Sequence, residues 1–134
     1  LAIARQNAKK LEKECIFIHS DLFENIDGKY DVIISNPPYI ATKEIEALEP
    51  EVRIHEPMMA LDGKEDGLFF YRKIVSESVN YLNPEGWLMF EIGYDQGEAV
   101  SEMMKVSGYT EVRVVKDLAG LDRVVIGKLA QEER

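Results

Sequence analysis

The chain has 134 residues, 46% of them hydrophobic, enough for one core and too few for two full domains. Its 16 Lys and Arg against 25 Asp and Glu leave a net charge of -9, which repels phosphate backbones and makes duplex nucleic acid a poor partner. No apolar run approaches the roughly 18 residues that a membrane span needs, so a soluble protein away from membranes is expected. The single cysteine, Cys15, beside Ile16, Phe17 and Ile18, forms no internal disulfide and is expected to pack as a small buried hydrophobe, in keeping with a reducing cytoplasm. His19 and His55 stand far apart without a Cys or His at ligand spacing, and no metal site is expected.

Ala4, Ala8 and Leu11 recur at helical spacing, so residues 1–13 read as an amphipathic helix already under way at Leu1. The chain therefore reads as a piece of a longer protein. Ile16 to His19 and Tyr30 to Ser35 are β-branched, apolar runs, each stopped by polar or proline residues, and both read as buried parallel strands. The long connection from Ile40 to Gly67 shows no apolar periodicity and carries Glu44, Glu46, Glu49, Glu51, Glu56 and Asp66. Leu68, Tyr71, Ile74, Val75, Val79 and Leu82 follow a helical period, closed by Asn83-Pro84-Glu85-Gly86 before a strand from Trp87 to Glu91. Val100, Met103 and Met104 mark another helix ended by Gly108, and Glu111 to Lys116 with Arg123 to Lys128 read as a final strand pair. Phe69, Phe70 and Tyr71 read as the core and rim of their helix.

This alternation predicts an open α/β sheet wound by right-handed crossovers, with functional groups on the loops after residues 19, 35 and 91. Asn36-Pro37-Pro38-Tyr39 lies at the second of these places. Two consecutive prolines fix φ, remove two backbone donors and hold Asn36 extended, which makes a rigid bay rich in acceptors. Such a bay suits a planar NH₂ on an sp² carbon, whose two hydrogens need two acceptors: the Asn36 side-chain oxygen and the Pro37 carbonyl. Tyr39 is placed to stack on the flat group. Amides and nucleobase amines both meet this description.

Asn-Pro-Pro-Tyr resembles the catalytic motif of S-adenosylmethionine-dependent methyltransferases that modify amide or exocyclic amino nitrogens. Further residues resemble the release-factor glutamine methyltransferases of the HemK/PrmC type. They are Glu56-Pro57, Ala60-Leu61 and Gly63; Asp66-Gly67-Leu68; Leu82, Pro84 and Gly86; Glu91-Ile92-Gly93 and Gln96-Gly97; then Asp117, Asp122-Arg123-Val124-Val125 and Gly127. The resemblance implies methyl transfer from S-adenosylmethionine to a glutamine side-chain nitrogen in a Gly-Gly-Gln loop of a peptide chain release factor, in the cytoplasm. Nucleic acid would enter only indirectly, through the ribosome. It also implies that Asn36 is catalytic, holding the substrate amide beside the cofactor, and that Pro37, Pro38 and Tyr39 complete the glutamine site. Asp21 and Leu22 match the position that contacts the cofactor's adenine.

By the same resemblance, the whole of 1–134 is the C-terminal portion of a Rossmann-like methyltransferase sheet. Its first two strands, its glycine-rich cofactor loop, its ribose-binding acid and an N-terminal helical domain would lie upstream of Leu1. No Gly-x-Gly-x-x-Gly pattern occurs in the chain. The chain alone is then expected to bind cofactor weakly, to be inactive, and to self-associate or rearrange where strand edges are uncovered. Two alternatives stay open, an adenine-N6 methyltransferase of DNA or RNA and an inactive structural module. Glu91 reads either as reaching the site mouth or as a partner of Arg123 or a backbone donor, and the acidic residues from Glu44 to Glu56 either as a solvated face or as a flap that steers a basic loop.

Overall fold

Apolar runs separated by polar turns pair into one four-stranded sheet in the computed structural model, which describes residues 3, 4, 6, 7, 15–41, 64 and 66–131. The elements are β1 (Tyr30–Ser35), α1 (Phe69–Ser78), β2 (Leu82–Glu91), α2 (Gly97–Val106), β3 (Tyr109–Lys116) and β4 (Asp122–Leu129). The sheet order is β1-β2-β4-β3. β1 runs parallel to β2, with α1 in the connection between them, whereas β4 is antiparallel to both β2 and β3. The α/β architecture and the closing hairpin agree with the sequence reading. Among the described residues, no helix is long and apolar enough to cross a membrane.

Both helices bury one stripe. Tyr71, Ile74, Val75 and Ser78 of α1 and Gly97, Val100, Ser101 and Met104 of α2 are buried, each set at the i, i+3, i+4, i+7 spacing of a helix packed on a core. α2 lies against β3 and β4 and touches α1. Leu88 and Phe90 alternate into the same core from β2, joined by Leu82, Ile92, Tyr109 and Val125. Each large side chain removed from water in this way contributes roughly 1.5–3 kcal/mol. A polar link within the core joins the hydroxyls of Ser78 and Tyr109, 2.5 Å apart, with Ser78 also donating to the Val75 carbonyl.

Several boundaries differ from the sequence reading. Ile16 to His19 is not a strand: Ile16 is 91% exposed, and the segment is instead tied locally, the Asn25 amide donating to the His19 carbonyl. β-branched content favours a pleated surface only where a neighbouring strand supplies hydrogen bonds, and no described strand pairs with this segment. Cys15, in the same stretch, is exposed instead of buried. β1 is parallel as expected but lies at the edge of the sheet among the described residues, where Tyr30, Val32 and Ile34 are exposed. The helix ends at Ser78, leaving Val79 and Leu82 beyond it, and β2 begins at Leu82 instead of Trp87. Asn83 to Gly86 interrupt the pairing within that strand: Tyr30 and Val32 of β1 face Leu82 and Trp87, and Glu85 takes a φ of 67° in the excursion. For the expected N-terminal helix, residues 3, 4, 6 and 7 are helical and the remainder of 1–13 lies outside the described residues.

Candidate functional site

β1 ends at Ser35, held opposite Phe90 of β2, and Asn36-Pro37-Pro38-Tyr39 leaves the sheet from this carboxyl end. Open α/β sheets place ligand groups here because successive strands diverge into loops around a common crevice. Pro37 is buried, Pro38 and Tyr39 are half-buried, and Asn36 is exposed. The motif is thus anchored by its prolines while its amide stays accessible. The Tyr39 ring lies across Gly93, where an added Cβ would come within 3.1 Å of Cδ2. Beneath it, the Tyr71 hydroxyl donates to the Glu91 carbonyl at 2.6 Å. Burial pushes the Tyr71 phenol above its ordinary value, and the nearby Tyr39 and Glu91 add to that shift, so Tyr71 stays a neutral donor.

Gln96 joins three loops at this end of the sheet. It is only 7% exposed; its Oε1 accepts from the Gly93 N–H at 2.9 Å, and its Nε2 donates to the carbonyls of Tyr39 at 2.8 Å and Gly67 at 3.1 Å. In the sequence, Gln96-Gly97 belongs to a family pattern that gives the glutamine no role. Its partners lie 3, 29 and 57 residues away, a separation that no local pattern reveals.

A cavity of about 500 Å³ opens beside these groups, lined by Tyr39, Ile40, Asp66, Tyr94, Gln96 and Arg123 among others. On one wall, Asp66 accepts from the Leu68 amide at 2.9 Å and from the Arg72 guanidinium at 2.7 and 3.2 Å, bracing the entry to α1. The Arg72 side chain holds the Asp66 carboxyl below its ordinary value, and the Leu68 amide lowers it further. Because the folded-state value is depressed, this contribution is full above about pH 4 and is lost as pH falls through the lower folded value. Both side chains are half-exposed, so the expected contribution is within about 1 kcal/mol. Carbon-13 NMR titration of Asp66 should give a midpoint that rises towards the ordinary carboxylate range in Arg72→Ala; an unchanged midpoint would show that the guanidinium is not the cause.

Arg123 on the opposite wall pairs with Asp117 at 3.3 Å, and Asp117 also accepts from the Ala119 and Leu121 amides, bracing the β3–β4 turn. Its guanidinium also approaches the Ile92 carbonyl at 3.5 Å. Of the two readings of Glu91, the pairing with Arg123 is therefore not made, since that cation is taken by Asp117. Glu91 is half-buried, and its backbone carbonyl serves Tyr71.

Asp21 and Leu22 sit in a loop that also reaches the carboxyl end of β1. Leu22 takes a φ of 54°, a left-handed conformation uncommon for a side chain of this kind, and its carbonyl accepts from the Ser20 hydroxyl at 2.8 Å. With Phe23, Ile26, Ile33, Ile34 and Ser35, Leu22 lines an apolar cavity of about 170 Å³. Asp21, the preceding residue, is exposed, and its carbonyl accepts from the Glu24 amide. The structure thus gathers the two sequence-predicted segments, 21–22 and 36–39, at one end of one strand. Glu44 to Glu56, and the Glu56-Pro57, Ala60-Leu61 and Gly63 elements, lie outside the described residues.

Residues 1–62, which include both segments, match the family model of the methyltransferase small domain. The release factor glutamine methyltransferase of Caulobacter vibrioides is 48% identical over 130 residues, 95% of this chain and 45% of that protein. The enzyme of the same name from Geobacter sulfurreducens is 46% identical over 130 residues, 96% of this chain and 46% of its own length. Among solved structures, a methyltransferase from Pyrococcus furiosus superposes with a TM-score of 0.68 at 19% identity, covering 96% of this chain and 57% of that one, a likeness of fold. The chain spans about half the length of the curated relatives it matches. Over nearly all of its own length, the chain is similar to the release factor glutamine methyltransferases.

Proposed function

We propose that the protein carrying this chain transfers a methyl group from S-adenosylmethionine to the side-chain amide nitrogen of a glutamine in a peptide chain release factor, acting in the cytoplasm. The observation that carries this reading is the placement of Asn36-Pro37-Pro38-Tyr39: an exposed carboxamide at the carboxyl end of a parallel strand, followed by two prolines and a carbonyl fixed from the far side. The cofactor fits the second segment, because an apolar recess lined by Leu22 matches the face of an adenine, and the neighbouring Asp21 carries an exposed carboxylate of the kind that accepts from an amino group. S-adenosylmethionine supplies an activated methyl group when bound. Asp21 and Leu22 would hold its adenine, and Asn36 would border it.

The chain's own residues do the positioning. The Asn36 side-chain oxygen accepts one N–H of the substrate amide and the Pro37 carbonyl accepts the other. Both hydrogens are then directed into the protein, and the amide plane is fixed with one face open. Tyr39 covers part of that plane. Positioning of this kind replaces the entropy of bringing two groups together and calls for no strong base. We further propose that 1–134 is one portion of a larger catalytic domain.

Mass spectrometry tests the reading. The protein carrying this chain, given S-adenosylmethionine and a release factor, should add one methyl group to the glutamine of the Gly-Gly-Gln loop and none to adenine in single- or double-stranded DNA. Transfer to DNA without transfer to the release factor would instead establish the adenine enzyme, which the net charge of -9 disfavours.

A further inference from the structure

We propose that Gln96 is the positioning residue of this site, setting the placement of Asn36 through the backbone of Tyr39. This inference rests on the reading above and adds a residue to which that reading gives no part. Asn36 is reached from two directions. On one side it follows Ser35, which the sheet fixes against Phe90. On the other side, the chain from Asn36 to Tyr39 passes through two proline rings whose φ angles cannot relax. With two of its φ angles fixed, the segment has fewer torsions in which to absorb a shift of the Tyr39 carbonyl before it reaches Asn36, and Gln96 Nε2 holds that carbonyl at 2.8 Å.

Gln96 is itself well fixed. Its backbone N–H donates to the Gly93 carbonyl at 3.0 Å, and its own carbonyl accepts from Val100 in the first turn of α2. The side chain fills its hydrogen-bonding capacity asymmetrically, accepting once through Oε1 and donating twice through Nε2. Only an amide meets that demand: a carboxylate has no donor and an alkyl chain has neither function. The surrounding backbone has closed around it. At Gly67, where φ is 76°, an added Cβ would collide with the Tyr39 carbonyl oxygen and lie 3.0 Å from Gln96 Nε2; at Gly93 it would lie 3.1 Å from Gln96 Oε1 and from the Tyr39 ring. Two glycines thus leave room for the glutamine and the tyrosine to meet.

The test measures methyl transfer by the protein carrying this chain, unsubstituted and as Gln96→Ala and Gln96→Glu, at a temperature where circular dichroism shows each to be folded. Misplacing a reacting group by about 1 Å costs up to about a hundredfold in rate. Gln96→Ala should therefore lower kcat by roughly tenfold to a hundredfold, with the KM for cofactor within about twofold. Gln96→Glu gives a readout that a purely structural role would not move. Its ionised carboxylate would face two carbonyl oxygens, so burial and repulsion raise its pKa, and on protonation it regains one donor. Its kcat, low at neutral pH, should recover relative to the unsubstituted protein as pH falls below about 6. If Gln96→Ala does not fold, the pH profile of Gln96→Glu decides alone. Transfer by the unsubstituted protein with kcat unchanged in a folded variant, or a Gln96→Glu profile parallel to the unsubstituted one, would overturn the inference. No transfer by the unsubstituted protein would overturn the reading beneath it, and the inference with it.

Discussion

Asn36→Ala should lower methyl transfer by about a hundredfold or more, the scale of losing one hydrogen-bonding group aimed at a reacting centre. The same substitution should change folding stability by no more than about 0.5 kcal/mol, because Asn36 is exposed and no described residue bonds to its side chain. The combination is diagnostic. A core residue would lose stability first and activity as a consequence, whereas a positioning acceptor loses only the rate. Single-turnover measurement on the substituted protein, beside its thermal melt, separates the two. Retained activity in a folded Asn36→Ala protein would return the tetrapeptide to the role of a turn that stops a strand.

The largest stability loss is expected at Phe90. It is 1% exposed in β2, which has β1 on one side and β4 on the other, and its ring meets Tyr71 edge to face with centroids 5.1 Å apart. Truncation to Ala removes those contacts and leaves a cavity between α1 and the sheet, so Phe90→Ala should cost about 3–5 kcal/mol. That is a large part of the roughly 5–15 kcal/mol by which domains are stable. Val106→Ala, at an exposed helix end, should by contrast stay within about 0.5 kcal/mol. Urea unfolding followed by circular dichroism would compare them, and equal midpoints would contradict the placement of the core.

The parts of this molecule that were legible in the sequence depend on local chemistry. Tyr71, Ile74 and Val75 announce a helix by spacing alone, and Pro37-Pro38 announces a rigid exit from a strand wherever the strand lies. Other features depend on partners. Ile16 to His19 has the composition of a strand, but composition does not state whether a neighbour is there to pair with it, and Ile16 is exposed. Asn83 to Gly86 look like the end of an element, yet β2 continues past them, with β1 pairing to Leu82 before and to Trp87 after the unpaired excursion. The site divides in the same way. Asn36 to Tyr39 stood out as a motif, and Asp21 with Leu22 entered by family resemblance, whereas Gln96 gained a role only once the fold had brought Tyr39, Gly67 and Gly93 around it.

A crystal structure of the protein carrying this chain with a glutamine-bearing Gly-Gly-Gln peptide is the most direct measurement of whether Asn36 to Tyr39 receives a carboxamide. The glutamine nitrogen should lie within hydrogen-bonding distance of both the Asn36 side-chain oxygen and the Pro37 carbonyl, roughly 2.7–3.2 Å, with Tyr39 against its plane. A glutamine bound elsewhere, with Asn36 and Pro37 making no contact to it, would contradict the account.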